Sequence, residues 1–247
     1  MMAQRIFKSR LIILFCLGTV FWPVNQVQSS PPAEIQSAAA HFQKGNEHLA
    51  KDEFSLALEE FTKAIQSNPR YTQAYYSRGK TYYKNGKPDE AMKDFNMALE
   101  LNPKLAPAYV DRGAAYNAKG DYEKAILDYS SAIKLEPKNA EIYMSRGISY
   151  ARKKDFDRAI ADYAKVLELD PDSTAAYNNR ANAYWYKKEY DQAIAEYNKA
   201  LAIDPKFAAG YYNRGWAYFK KGDTKKSDAD FKKAGELDSR YKNWKYY

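Results

Sequence analysis

Apolar, aromatic and small residues recur along this chain with a period of 34 residues. The period is clearest in five prolines, which are Pro69, Pro103, Pro137, Pro171 and Pro205. Counting from Ala38 divides the chain into six units, which are residues 38–71, 72–105, 106–139, 140–173, 174–207 and 208–241. A repeat of this length is typical of an array of stacked supersecondary units.

Each unit has the pattern of two helices. Positions 4, 8 and 11 fall on one face of a helix with 3.6 residues per turn, which predicts a first helix over positions 2–14. Glycine at position 15, as in Gly86, ends it. A second helix is predicted over positions 18–31, because the proline at position 32 cannot continue it. The sequence therefore predicts an all-α chain of about twelve antiparallel helices.

The two helices of a unit share a predicted core of small side chains and rings. Position 8 is glycine except for Ala181, and position 20 is alanine except for Ser227. We expect the helix backbones to approach closely there, with rings at positions 4, 11 and 24 filling the gaps. These rings account for thirteen of the 23 tyrosines. The two histidines, His41 and His48, occupy ring positions of the first unit and are expected to be buried substitutes. A metal-ligand pair is the alternative, which lacks a third ligand.

The last unit departs from the pattern on its outward side. Positions 21 and 28 are apolar in the first five units but are Asp228 and Gly235 in the sixth. We expect these two residues to form a solvated end of the array, since no further unit covers them.

The pattern resembles the tetratricopeptide repeat, which follows W-x2-L-G-x2-Y, then A-x3-F, then P over 34 residues. The matching positions are 4, 8, 11, 20 and 24 of the six units and 32 of the first five, so the resemblance covers residues 38–241. It implies a right-handed α-α superhelix (solenoid) with a concave groove, and a non-catalytic role in holding a protein or peptide partner.

The chain departs from the family pattern at position 7, where a cation replaces leucine. Lys44 stands there in the first unit, followed by Arg78, Arg112, Arg146, Arg180 and Arg214. Position 23 is acidic in all six units, as Glu60, Asp94, Asp128, Asp162, Glu196 and Asp230. This predicts a structural ion pair between the two helices of a unit or between neighbouring units, because a guanidinium can bond a carboxylate at two points. A catalytic carboxylate is the rival interpretation, disfavoured because every copy would be neutralised.

The resemblance implies that positions 2, 5, 6, 9, 12 and 13 line the groove. The predicted partner contacts are Tyr76, Lys80, Tyr83, Lys84, Asn117, Arg152, Asn178, Asn182, Trp185, Tyr186, Tyr212, Asn213, Trp216 and Lys220. Clustered exposed aromatics mark interfaces, and Asn178, Asn182 and Asn213 can bond the N–H and C=O of a peptide backbone. Packing between neighbouring first helices is an equal alternative for Tyr186 and Phe219. No lysine stands at position 5, so binding of a chaperone's acidic tail is not expected.

The N-terminal residues have the layout of an export signal. Arg5, Lys8 and Arg10 precede an apolar run over residues 11–22, and a polar segment with small residues follows. We predict a signal peptide over residues 1–29 and a linker over 30–37, because the apolar run is shorter than the roughly 20 residues of a membrane span. The location would be the bacterial periplasm or the exterior. An uncleaved anchor in the inner membrane through residues 11–22 is the alternative.

Composition narrows the function further. Removal of the signal leaves 36 basic and 31 acidic residues, a net charge of +5, which is too small and dispersed to indicate nucleic-acid binding. One cysteine and two histidines supply no metal cluster or catalytic pair, so neither an enzyme nor a cofactor is expected. Residues 242–247 form an aromatic and basic tail, which either folds back over the end of the array or stays free.

The leading hypothesis is an exported protein–protein interaction scaffold. A glycan-binding or polysaccharide-assembly protein is the alternative, because aromatic rings and amides also suit sugars. The basic end, residues 220–247, leaves open a contact with an anionic envelope surface.

Overall fold

The computed structural model describes residues 33–242. The predicted signal peptide and residues 243–247 of the predicted tail lie outside the described residues. The described part forms twelve α-helices and one 3₁₀ turn without any strand, which confirms the all-α prediction. The helices are α1 (Ala33–Ala50), α2 (Phe54–Ser67), α3 (Thr72–Lys84), α4 (Pro88–Leu101), α5 (Ala106–Ala118), α6 (Tyr122–Leu135), α7 (Ala140–Arg152), α8 (Phe156–Leu169), α9 (Thr174–Tyr186), α10 (Tyr190–Ile203), α11 (Ala208–Lys220) and α12 (Thr224–Leu237). The 3₁₀ turn is Ser239–Tyr241.

The helices of units two to six begin and end one residue before their predicted bounds. The second helix of unit two begins at Pro88, because the fixed φ of proline suits a first helical position whose N–H has no intrahelical partner. It ends at Leu101 because Asn102 is extended, with φ −140° and ψ 91°. Local capping therefore decides the bounds, and the following proline lies just outside the helix.

The first helix is longer than predicted. It begins at Ala33, so residues 33–37, which we assigned to the linker, are helical. The prediction of a linker over 30–37 is wrong for this part. Its sequence, Ala-Glu-Ile-Gln-Ser, contains neither glycine nor proline and favours helix once the following turns are formed.

The turn between the two helices of each unit uses a left-handed residue at position 15. Glycine supplies it in three units, for example Gly86 with φ 72°. Asp52, Lys154 and Lys188 adopt the same conformation without being glycine, with φ between 55° and 65°. The turn thus depends on the stacking of the two helices and is kept where the favourable residue is missing.

In five of the six units, the core is a ring that packs over a glycine. Phe95 is fully buried, and a Cβ placed on Gly79 would lie 2.8 Å from its ring. Ala91 on the second helix is equally buried beside it. Position 8 must therefore be small, because the ring at position 24 already fills the space that a side chain would take.

Rings at positions 4 and 11 are less buried than we predicted. Only Tyr143 and Tyr150 among them are buried, and the rest are half-buried. The guanidinium of Arg146 lies over both rings, 5.7 and 5.8 Å from their centroids. These tyrosines enclose the arginine of position 7 rather than fill an apolar core.

The six units stack so that their first helices stand side by side. Helices adjacent in the chain pack together, and α1, α3, α5, α7, α9 and α11 also contact one another in sequence. We call this row the groove wall. At the far end, Asp228 is exposed as expected, but the prediction of a solvated Gly235 is wrong. Gly235 is buried, and its added Cβ would meet the Cα of Lys242 at 3.3 Å, because the chain turns back across α12.

Candidate functional site

Consecutive first helices are hydrogen-bonded to each other along the groove wall. Tyr76 Oη donates to Asp111 Oδ2 at 2.7 Å, and Asn213 Nδ2 donates to Asn178 Oδ1 at 3.0 Å. Both bonds join position 5 of one unit to position 6 of the next. Polar side chains therefore join α3 to α5 and α9 to α11, and part of the amide capacity predicted for a ligand is used inside the protein.

A pocket of about 430 Å³ opens between α9 and α11, and we call it the unit 5–6 pocket. It is lined by Asn182, Trp185, Tyr186, Tyr197, Asn213, Trp216 and Lys220. Six of these seven residues are predicted groove residues, so the structure brings the aromatic and amide side chains of units five and six together.

Neighbouring rings contact the two tryptophans, and for Trp216 one of these rings belongs to the core. Trp216 meets the buried ring of Phe231 edge-on at 5.3 Å, and Tyr212 meets Trp216 at 6.2 Å. Trp185 meets Tyr186 edge-on at 5.2 Å. Both tryptophans are half-buried, so one part of each ring is fixed by packing and another part is open to a ligand.

Tyr186 and Phe219 stay on the surface. Tyr186 is 62% exposed although its ring stacks on Phe156 at 5.3 Å, and Phe219 is 47% exposed. We held packing between neighbouring first helices as an equal alternative for these two rings. Neither ring is buried in this way, since about half or more of each is exposed. The contact of Tyr186 is made with the second helix of unit four.

Tyr197 contributes a buried hydroxyl to the site, although we predicted this residue only as a core ring. Its Oη donates to Asn182 Oδ1 at 2.6 Å, which fixes the amide and directs Asn182 Nδ2 away from that bond. Burial raises the pKa of Tyr197, so the hydroxyl remains a donor. Tyrosine in place of phenylalanine at position 24 was the available signal, because the added hydroxyl needs a partner.

A second pocket of about 730 Å³ adjoins the first, and we call it the unit 4–5 pocket. It shares Asn182 and Tyr186 with the unit 5–6 pocket and includes the predicted Arg152. Phe156 and Lys154 line it and were missed. An aromatic at position 17 also begins α2, α6 and α10, and this recurrence was a signal for Phe156.

The predicted groove residues of units two and three form a separate cluster outside these pockets. Burial raises the pKa of Asp111, with the hydrogen bond from Tyr76 opposing the rise, and burial likewise raises the pKa of Tyr76. Lys80 Nζ lies 5.4 Å from the centre of the Tyr76 ring. Tyr83 and Lys84 are exposed. Their place in the fold is the groove wall, while their role as partner contacts stays a prediction.

Two polar atoms of predicted groove residues are buried without a hydrogen-bond partner among the described residues. These are Trp185 Nε1 and Asn117 Oδ1. A buried, unbonded polar atom costs free energy, and binding sites are one place where that cost is accepted.

The charges at positions 7 and 23 meet within units two to six. Arg112 Nε and Nη2 donate to the two oxygens of Asp128 at 2.8 and 2.7 Å, and the same two-point contact recurs in units two, four and six. Arg180 instead donates to one oxygen of Glu196. The acids are buried. These carboxylates are engaged by the arginines of their own units, as expected, and do not line the groove pockets.

Unit one differs from the predicted pairing of Lys44 with Glu60. Glu60 Oε2 lies 2.7 Å from His41 Nδ1, and Lys63 Nζ donates to Glu60 Oε1 at 2.8 Å. Lys44 is exposed. The histidine at position 4 takes the place of the arginine, because the flexible lysine lacks the planar fork that holds both oxygens. His48 Nδ1 lies 2.6 Å from Glu53 Oε2, so both histidines are half-buried carboxylate partners rather than buried ring substitutes.

Two sets of contacts between units were not predicted. Nη1 of the position-7 arginine reaches position 25 of the preceding unit, as in Arg78 to Thr62 at 3.1 Å. A lysine at position 14 also pairs with an acid at position 18 of the preceding unit. These pairs are Lys119–Asp89, Lys153–Glu123, Lys187–Asp157 and Lys221–Asp191. Their recurrence in the sequence was a usable signal.

The described residues hold no group of three or more His, Cys, Asp or Glu side chains able to share a metal ion. Within residues 33–242, no helix is both long enough and apolar enough to cross a membrane.

Family models match most of the array. The model described as "TPR repeat" matches residues 45–86, 113–154 and 186–222. Models described as "Tetratricopeptide repeat" match residues 72–105, 140–173, 208–241 and 95–127. A search of the curated proteins found none that matches.

Several solved structures resemble the chain. The MamA protein is 26% identical with a TM-score of 0.66, over 70% of this chain and 95% of that one. A tetratricopeptide repeat protein from Parabacteroides merdae is 23% identical with a TM-score of 0.72, over 85% and 88%. YrrB, described as a TPR protein with an unusual peptide-binding site, is 23% identical with a TM-score of 0.63, over 72% and 92%. The latter two share the fold.

Proposed function

The chain belongs to the tetratricopeptide repeat family, and from that premise we propose that it is an exported, non-catalytic scaffold that holds an extended segment of a partner protein in its groove. Tetratricopeptide repeat proteins are protein-interaction scaffolds, and the matching models indicate no catalytic family. The partner, the site and the export are the proposed elements.

The unit 5–6 pocket is the observation that carries the proposal. Its lining includes two half-buried tryptophans, the buried Tyr197, an exposed tyrosine, two asparagines and a lysine. Aromatic side chains anchored on one side and open on the other are frequent energetic centres of protein interfaces. The volume of about 430 Å³ suits a bulky side chain of a bound segment.

The amides supply the second element of recognition. Asn178 and Asn213 bond each other once, and Asn182 accepts from Tyr197, which leaves the Nδ2 groups of Asn178 and Asn182 without a protein partner among the described residues. Such groups can bond the backbone of an extended peptide whatever its side chains. YrrB is described as having a peptide-binding site, and the likeness to it supports a peptide as the ligand.

Export is proposed on the N-terminal sequence, with basic residues, then a short apolar run, then polar residues. The location would be the periplasm or the exterior, with an inner-membrane anchor through residues 11–22 as the alternative. N-terminal sequencing of the protein recovered from cell fractions tests it. A mature chain that begins near residue 30 supports export, and an intact chain in the membrane fraction supports the anchor.

The site itself is tested by replacing Phe219, an exposed residue whose ring contacts Trp216, with a photoreactive amino acid and identifying what it captures in the cell envelope. The reference variants are Trp185→Ala and Trp216→Ala, and Leu127→Ala is the matched control, because Leu127 is a 66% exposed apolar residue on the second helix α6. We expect a defined protein partner that both tryptophan variants lose and the control keeps. Unchanged capture by both tryptophan variants would remove this pocket as the site.

Glycan or cell-wall polymer binding is the second candidate, favoured by the same exposed aromatic faces. Pull-down with isolated cell-wall polymer separates the two candidates. Retention on polymer that depends on Trp185 and Trp216, without any captured protein, would favour the glycan.

A further inference from the structure

The cations on the groove side of units four to six differ from their neighbours in having no acidic partner. Lysines at position 14 pair with an acid of the preceding unit, as Lys187 does with Asp157 at 2.7 Å. One residue earlier, at position 13, Arg152 and Lys220 are exposed and make no ion pair with any described carboxylate. The two sets lie side by side, and Arg152 and Lys220, which line the pockets, are left with their charge uncompensated.

No carboxylate lines either pocket. The unit 4–5 and unit 5–6 pockets together include Arg152, Lys154 and Lys220 but neither aspartate nor glutamate. The acids closest in sequence to Lys154 are already engaged, since Asp155 pairs with Arg158 and Asp157 with Lys187. The pockets therefore carry a net positive charge next to apolar rings.

The uncharged polar groups of the pockets offer both hydrogen-bond donors and acceptors. Asn182 uses its acceptor on Tyr197 and keeps its Nδ2 donor, whereas Asn213 uses its Nδ2 donor on Asn178 and keeps its Oδ1 acceptor. Trp185 Nε1 is a buried donor without any partner among the described residues. Free amide donors and acceptors fit a peptide backbone, and the unpaired cations beside them fit a carboxylate.

We propose that the groove of units four to six selects a peptide segment in which a bulky apolar side chain is flanked by aspartate or glutamate. The inference rests on the proposed function, since it assumes that the pockets bind a peptide, and it adds the chemistry of that peptide. The apolar side chain enters the unit 5–6 pocket between Trp185 and Trp216. The flanking acids reach Arg152, Lys154 and Lys220 on the groove side.

Fluorescence anisotropy with synthetic peptides tests the proposal. The probe is a fluorescein-labelled, capped nonapeptide with a central tryptophan flanked by glutamates, and the control peptides replace each glutamate by glutamine or lysine. We expect the glutamine peptide to bind at least about fivefold more weakly than the glutamate peptide and the lysine peptide to bind weakest. The preference should shrink as salt is raised, because the cations are exposed.

Charge reversal in the protein tests the same contacts from the other side. Arg152→Glu with Lys220→Glu should weaken the glutamate peptide about tenfold and improve the lysine peptide, an inversion that misfolding cannot produce. Lys93→Glu with Lys232→Glu makes the same change in net charge at exposed lysines of the second helices α4 and α12. This control should alter binding less than about twofold.

Equal binding of the glutamate and glutamine peptides would overturn the inference, and the proposed function would survive if Trp185→Ala and Trp216→Ala weaken both. Binding of polygalacturonate without binding of any peptide would overturn it in favour of an acidic glycan. Concentration-dependent self-association abolished by the tryptophan variants would overturn it in favour of a second copy. Binding of the probe only after removal of residues 243–247 would show the tail as the resident ligand and would also overturn it.

Discussion

Arg112 holds Asp128 through two parallel hydrogen bonds, of 2.8 and 2.7 Å, and its remaining Nη1 donates to Asn96 of the preceding unit at 2.6 Å. One guanidinium thus ties three helices, two of its own unit and one of its neighbour. The ring of Tyr109, at position 4, lies 5.6 Å from the guanidinium, and the carboxylate is buried. The leucine of the family pattern is replaced by a polar joint between units.

Removal of this joint should destabilise the array. Arg112→Leu leaves a buried carboxylate without its partner, so we expect a loss of about 3 kcal/mol in the free energy of unfolding, measured by urea denaturation. The double variant Arg112→Leu with Asp128→Leu should recover much of that loss, because no unpaired charge remains. Lys134→Leu, at an exposed site of α6, is the control. Unchanged unfolding of Arg112→Leu would contradict a stabilising role for the pair.

A larger side chain at position 8 should also destabilise the array, and a second substitution in the same unit should restore part of the lost stability. An added Cβ on Gly147 would lie 2.7 Å from the Tyr163 ring, so Gly147→Ala forces α7 and α8 apart at a cost of about 1–3 kcal/mol. Unit five already carries Ala181, and its acid is the longer Glu196. We therefore expect Gly147→Ala with Asp162→Glu to be more stable than Gly147→Ala alone, because the extra methylene spans the wider gap. Thermal unfolding measures both, and a double variant weaker than the single one would refute this explanation.

The junction of units four and five lacks one contact that the others have. Ser130 accepts from Arg146 at 3.0 Å, but position 25 of unit four is Ala164, which offers no acceptor to Arg180. Ala164→Ser should supply one and stabilise the array by about 0.5 kcal/mol, the balance of about 1 kcal/mol for the bond against the lower helix propensity of serine.

The matched control for this gain is Ala161→Ser, an exposed site of the same helix. It should lose about 0.5 kcal/mol, because it makes the same change without a partner. If Ala164→Ser and Ala161→Ser change the free energy of unfolding equally in chemical denaturation, Arg180 does not bond the new hydroxyl.

The first unit should lose stability in acid. Hydrogen bonds from Lys63 and then His41 lower the pKa of Glu60 from 4.5 to about 2. A folded-state pKa below the unfolded one stabilises the protein above pH 4.5, and this stabilisation is lost as pH falls from 4.5 towards 2. We expect α1 to lose hydrogen-exchange protection in this window.

Glu60→Gln tests this pH dependence, since the amide does not titrate. The variant should have weaker protection of α1 near pH 6 and little further change down to pH 3. Glu141→Gln, at an exposed site of α7, is the control and should behave as the parent protein. A parent-like acid transition in Glu60→Gln would assign the transition to other carboxylates.

The fold could be predicted closely because its rules act inside one unit. Spacing along a helix places Gly79, Tyr82 and the rest of a face together whatever lies beyond the unit, and a helix ends before each repeated proline. The errors at helix ends are single residues, where capping geometry chooses between adjacent positions. The predicted linker residues 33–37 are helical for a similarly local reason, since their composition permits either state.

The candidate site was predictable as a set of positions but not as a set of contacts. The sequence placed Trp185 and Trp216 on the same wall, and the structure gathers them around one pocket. The sequence indicated that the Tyr197 hydroxyl needs a partner, but not that Asn182 would accept from it or that Asn178 and Asn213 would bond each other.

The sequence by itself determined the repeat, the helices, the packing of the position-24 ring against the small residues of each unit, and the opposite charges at positions 7 and 23. The tertiary structure alone decided which side chains meet across the junction of two units, such as Tyr76 with Asp111, and which cations keep a partner. The physical reason is geometric. Contacts within a unit follow from the helix period, whereas contacts between units depend on the angle and offset at which whole units stack, and these arise from the summed packing of many side chains.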